Sequence, residues 1–147
     1  MQDSAAFSEW IASRLKLDDP YSYAIVERSG QAVGIATLME VRTAMRVIEV
    51  GHIVYSPALQ RTPLGTEAQY LLARCAFETL GYRRYEWKCN ALNEPSRRAA
   101  LRLGFSFEGI FRQHMMPLPA VIHCTSPAAI NPRLPRLSPC STSPART

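Results

Sequence analysis

The stretch from Arg46 to Cys89 restricts the architecture more than any other part of this chain. Arg46–Tyr55 reads as a strand, ended by Ser56-Pro57. Thr66–Leu80 places Ala68, Leu71, Leu72, Cys75, Ala76 and Leu80 on one stripe at helical spacing. Thr66 and Gln69 fit a capping box and Gly81 a C-terminal stop. Arg84–Cys89 then alternates, with Tyr85, Trp87 and Cys89 on one face. A strand, a crossover helix and a second strand form a parallel pair with right-handed connection, so the helix must lie on one face of a sheet.

The flanking elements extend that sheet. Residues 4–17 predict a helix with Phe7, Trp10, Ile11 and Leu15 on one face, stopped by Asp18-Asp19-Pro20. Tyr21–Glu27 and Ala32–Val41 predict a hairpin turning at Ser29-Gly30. A short helix follows Asn93, from about Pro95 to Leu103, and stops at Gly104. Phe105–Phe111 is the last strand, with Phe105, Phe107 and Phe111 on one side. The fold class is therefore α/β (α+β): a mixed, mostly antiparallel sheet with flanking helices.

Composition changes at Met116. Seven of the 11 prolines fall within residues 117–147. Proline lacks a ladder donor, so the expectation is one folded domain over 1–116 and a Pro-rich irregular tail over 117–147. Phe105–Phe111 would then be an unpaired edge, which favours a homodimer.

The net charge of +5 divides unevenly. Residues 1–116 hold 14 basic and 12 acidic side chains, whereas 117–147 hold three arginines and no acid. The body is nearly neutral, so no nucleic-acid partner is expected. No apolar run is long enough to span a membrane, no signal-peptide layout opens the chain, and a cytoplasmic location is expected. Cys75, Cys89, Cys124 and Cys140 lack metal-ligand spacing, so no metal is expected and the cysteines should remain thiols.

Three places could carry chemistry. The loop Gln60-Arg61-Thr62-Pro63-Leu64-Gly65-Thr66 is either an ordinary connection or a phosphate site at a helix N-terminus. Asn93 and Ser96 either cap the short helix beside a solvated basic face or put an amide and a hydroxyl at a cleft. Glu49, inside an apolar strand, is either on a solvent face or buried with a raised pKa. His52 falls on the opposite face from Glu49 and reads as structural.

In order, these segments resemble the core of a GNAT-superfamily N-acetyltransferase. The stretch IEVGHIVYSPALQRTPLGTEAQYLLARCAFETLGYRRYEWKCNALNEPSRRAALRLGFSFEGIFRQ is most similar to the ribosomal-protein N-terminal (serine and alanine) acetyltransferases. The resemblance spans about Tyr21 to Met115. It implies acetyl-CoA as acetyl donor, held where two parallel strands splay, with Ile53, Val54 and Tyr55 on one of them. It assigns the phosphates to Gln60, Arg61, Thr62, Leu64, Gly65 and Thr66. Pro63 replaces the family's central glycine and removes one N–H. Asn93 would contact the pantetheine arm and Ser96 would protonate the departing thiolate. Glu49 is the candidate general base, and the acceptor would be a primary amine, either a peptide N-terminus or a small amine. The family's strand before the first helix and its closing C-terminal strand are expected to be missing. The alternative function is a degenerate acetyl-CoA-binding module without catalysis.

Overall fold

The computed structural model describes residues 4–14, 19–115 and 118–126. In chain order the elements are α1 (Ser4–Arg14), β1 (Tyr21–Val26), β2 (Ala32–Arg42), β3 (Val47–Tyr55), α2 (Pro63–Arg74), β4 (Arg84–Asn90), α3 (Glu94–Arg102), β5 (Ser106–Met115) and β6 (Leu118–Ser126). Six strands form one sheet in the order β1-β2-β3-β4-β6-β5. Only β3 and β4 pair parallel, as the crossover through α2 requires; the other pairs are antiparallel.

The core sits between this sheet and the helices. Leu38, Ile48, Val50, Leu59, Tyr85, Trp87 and Phe105 are buried in one cluster with Leu72 and Ala76 of the crossover helix and Ala100 of α3. The Phe105 ring packs edge-on to Trp87 at 5.4 Å and tilted on Tyr85 at 5.6 Å. Stripe residues Leu72, Cys75 and Ala76 are buried as expected, while Leu80 is exposed.

The expected irregular tail from residue 117 is corrected by β6. This strand lies inside the sheet, paired with β4 from Tyr85↔Ser126 to Asn90↔Val121 and with β5 from Ser106↔Thr125 to Met115↔Leu118. The sheet is therefore closed by a C-terminal strand, not left without one. The reason lies in the spacing of the prolines. Between Pro119 and Pro127 runs Ala-Val-Ile-His-Cys-Thr-Ser, which has every ladder donor and three β-favouring residues. Pro119 lies beyond the β4 pairing, beside an irregularity in β5, where no central ladder bond is lost. Residues 127–147 and Leu15 lie outside the described residues.

Smaller corrections follow from local chemistry. The helix expected from Thr66 begins at Pro63, with Thr62 as N-cap, and its last part, Cys75–Thr79, winds as a π-turn. Proline is favourable there because the first-turn N–H has no helical partner. Phe105 precedes β5 and is buried, whereas Phe107 and Phe111 are exposed. Trp10 is likewise exposed on α1.

Candidate active site

β3 and β4 pair over Val47–Val50 and Arg84–Trp87 and then part. The separation begins at a bulge in β3. Between Thr37↔Gly51 and Ile35↔Val54, β3 holds one residue more than β2, and His52 adopts φ 46°. A bulge of this kind bends and twists its strand. It also reverses which side chains face which way. Glu49, Gly51 and His52 line a cavity on one side of the splay, while Ile53 and Tyr55 line a cleft on the other. The expectation that His52 and Glu49 face opposite sides is thus corrected by the extra residue.

The first cleft, about 660 Å³, lies beside α2 and α3. Of the expected donor-site residues it brings together Ile53, Tyr55, Gln60, Arg61, Thr62, Gly65, Asn93 and Ser96. Val54 is exposed and does not line it. The Leu64 side chain packs against the core, so that residue can offer only its N–H. Thr66 does not line it either; its hydroxyl accepts from Nη1 of Arg102, which does, at 2.8 Å. The sequence reading did not pick out Gln69, Trp87, Arg98 or Arg102, which also line it. Arg98 and Arg102 are one helical turn apart on the α3 face that carries Pro95 and Ala99. That spacing was the available signal.

Each polar group in this cleft is held by its element. Thr62 Oγ1 accepts from the Gly65 N–H at 3.2 Å and donates to the Leu59 carbonyl at 2.7 Å. Tyr55 donates to the Gly65 carbonyl at 3.0 Å and accepts from Gln69 Nε2 at 2.8 Å. Burial keeps the Tyr55 phenol above its ordinary pKa, with the Gln69 bond opposing, so it remains a neutral donor. Gly65 is needed for closeness: a Cβ there would stand 2.9 Å from the Leu59 carbonyl oxygen and 3.0 Å from the Tyr55 ring. Asn93 Oδ1 caps α3 by accepting from the Ser96 N–H at 3.2 Å, which leaves its NH₂ for another partner. Ser96 Oγ accepts the Trp87 indole N–H at 3.1 Å.

The second cavity, about 450 Å³, carries Glu40, Arg42, Glu49, His52, Glu86, Lys88, Phe111 and His123 among its lining residues. Glu49 is buried, which resolves the two alternatives left by the sequence. Burial raises its pKa, and the Lys88 ammonium opposes that rise through a 2.5 Å bond to Oε2. Burial also works against ionisation at Glu86, but hydrogen bonds from Arg84 and Arg42 outweigh it and hold its pKa at about 2. His123 lies 3.5 Å from Glu86 and 3.6 Å from Glu108, stacked on Phe111, and burial lowers its pKa. Neither His123 nor Lys88 was picked out from sequence; His123 falls in the stretch expected to be irregular. Glu40 and His52 both hold left-handed backbone, an arrangement concentrated at functional sites. Cys75, Cys89 and Cys124 are free thiols. Among the described residues no group could hold a metal ion, and no helix is long and apolar enough to cross a membrane.

Residues 1–106 match the acetyltransferase (GNAT) domain family. No curated protein matches the chain. Among solved structures, a GCN5-related N-acetyltransferase from Brucella melitensis is 43% identical at TM-score 0.82, with 86% of this chain and 59% of that chain covered. A probable acetyltransferase of the GNAT family from Chromobacterium violaceum is 39% identical at TM-score 0.80, with 87% and 66% covered. This chain thus spans less than two thirds of the length of either. A proposed ribosomal-protein-serine acetyltransferase from Vibrio cholerae shares the fold at 24% identity and TM-score 0.67, over 84% of this chain and 70% of that one.

Proposed function

This chain belongs to the GNAT acetyltransferase family, and from that premise we propose that it moves the acetyl group of acetyl-CoA to a primary amine, with a protein N-terminal amine as the acceptor. The observation that carries the reading is the parting of β3 from β4 between two cavities, one on each side, each with polar side chains in its wall. Acetyl-CoA would supply an activated thioester carbonyl.

The residues present fit that donor. Gln60–Thr66 opens a helix N-terminus to the pyrophosphate, with Pro63 withholding one N–H and Arg61 adding a charge. The Asn93 NH₂, left over from the cap, would donate to the pantetheine arm. Ile53 and Tyr55, whose N–H groups lie on the side of β3 away from β2, would offer a donor to the thioester oxygen as it gains charge. The Ser96 hydroxyl, with one lone pair engaged by Trp87, retains its proton for the leaving sulfur. Glu49 takes a proton from the acceptor ammonium on the other side, and the freed amine forms the new C–N bond as the C–S bond breaks.

Thiol release from acetyl-CoA across a panel of N-terminal peptides and small amines tests this. Turnover with a peptide amine is expected. Saturable acetyl-CoA binding without release for any amine would instead mark a binding module lacking catalysis, the reading that Pro63 favours.

A further inference from the structure

We propose that Lys88 is a positioning residue for Glu49, holding one oxygen of that carboxylate at the parted edge of β3 and setting the pH at which transfer begins. The inference rests on the reading of Glu49 as general base.

Glu49 and Glu86 are direct partners in the parallel pair, so two buried carboxylates lie side by side. Adjacent like charges out of water cannot both stay ionised without cations. Glu86 has two guanidiniums of its own, Arg42 and Arg84. Glu49 meets Lys88: Nζ is 2.5 Å from its Oε2 and 3.4 Å from Glu86 Oε2. The ammonium is thus fixed from two sides. The Lys88 bond falls on Oε2 and not on Oε1.

The other charged groups around Glu49 do not replace Lys88. Glu40, from β2, and Glu86 both disfavour its ionisation. Arg42 is engaged with Glu86, His123 of β6 lies between Glu86 and Glu108, and His52 is exposed at the bulge. A buried carboxyl with only acidic neighbours would stay protonated and could accept nothing. Lys88 keeps the carboxylate charged and occupies one oxygen. The ammonium proton of the acceptor then passes to Oε1 as its N–H bond breaks, while Lys88 keeps its own three protons.

Lys88→Met, Lys88→Arg and Glu49→Gln test this, with two readouts. Carbon-13 NMR of labelled glutamate side chains follows the Glu49 titration, assigned by its loss in Glu49→Gln. The pH profile of kcat follows the reaction. In Lys88→Met, both the titration and the acidic limb should move up together by about 1–3 pH units. Lys88→Arg should restore both to within a few tenths. If Lys88→Met fails to fold, Lys88→Gln is read the same way. An unmoved Glu49 titration in the charge-free variant, or a loss of rate equal at all pH values, overturns the proposal while leaving the base intact. Parental turnover by Glu49→Gln overturns the base itself, and the role of Lys88 with it.

Discussion

Trp87 donates its indole N–H to Ser96 Oγ at 3.1 Å, and this bond joins β4 to the first turn of α3. It fixes the hydroxyl oxygen as an acceptor on one side, so the O–H hydrogen is free to point elsewhere in the cleft. The same bond satisfies the N–H of the buried Trp87 indole.

Ser96→Ala should therefore lower kcat by about 10²–10⁴-fold with little change in acetyl-CoA affinity. Trp87→Phe keeps the packing against Phe105 but removes the N–H, and should give a smaller loss of the same kind. Stopped-flow thiol release and calorimetric titration separate rate from affinity. Equal turnover by Ser96→Ala and the parent would leave Ser96 as a structural residue.

Gly65 answers to packing as much as to ligand. With a Cβ 2.9 Å from a backbone carbonyl oxygen, Gly65→Ala should cost about 1–3 kcal/mol in urea unfolding. Its effect on the donor thus mixes two causes. Arg61→Ala is the cleaner probe of the phosphates, because Arg61 lines the cleft from an exposed loop. It should weaken acetyl-CoA binding, and more so at low salt than at high salt. Unchanged affinity at both would remove Arg61 from the site.

Acid should unfold the protein through Glu86. Its folded pKa, about 2, lies below the ordinary 4.5, so its stabilisation is complete above pH 4.5 and is lost as pH falls toward 2. The amount is on the order of 1–3 kcal/mol, less than full conversion of the shift because Arg42 and Arg84 both reach solvent. Urea midpoints between pH 2 and pH 5 should rise with pH, and Glu86→Gln should flatten that slope. A slope unchanged by Glu86→Gln would place the acid sensitivity elsewhere.

β6 carries more of the fold than its composition suggests. Val121, Ile122 and Cys124 are buried, and the strand bonds to neighbours on both sides. Amide exchange across Val121–Thr125 should be as slow as in β4. A chain ending at Met115 should lack cooperative unfolding by calorimetry. Fast exchange in that stretch, or a cooperative transition without it, would show the strand to be dispensable.

The order of elements up to β5 was legible because hydrophobic period and turn residues agree along that stretch. Tyr85 and Trp87 are buried on one face, Asn93 caps α3, and Gly30 turns the hairpin at φ 89°. The misses share a cause: each depended on a local count hidden by an average. Seven prolines over 31 residues masked a proline-free run long enough for a strand. Strict alternation put Glu49 and His52 on opposite faces, and one inserted residue cancelled it. Lys88 fell on the face of its strand opposite Tyr85, Trp87 and Cys89 and drew no reading of its own. Its value came only from the register that set Glu49 beside Glu86.

The parting of β3 and β4 also bears on the order of events in a transferase. A sheet is a wall, and here the wall opens beyond Val50 and Trp87. Donor and acceptor would arrive by separate doors and meet in that opening. Neither would have to leave before the other could come in, and the acetyl group would need no intermediate resting place on the protein. Such a layout favours direct transfer within a three-membered assembly of enzyme, donor and acceptor, with each product departing by the door through which its parent came.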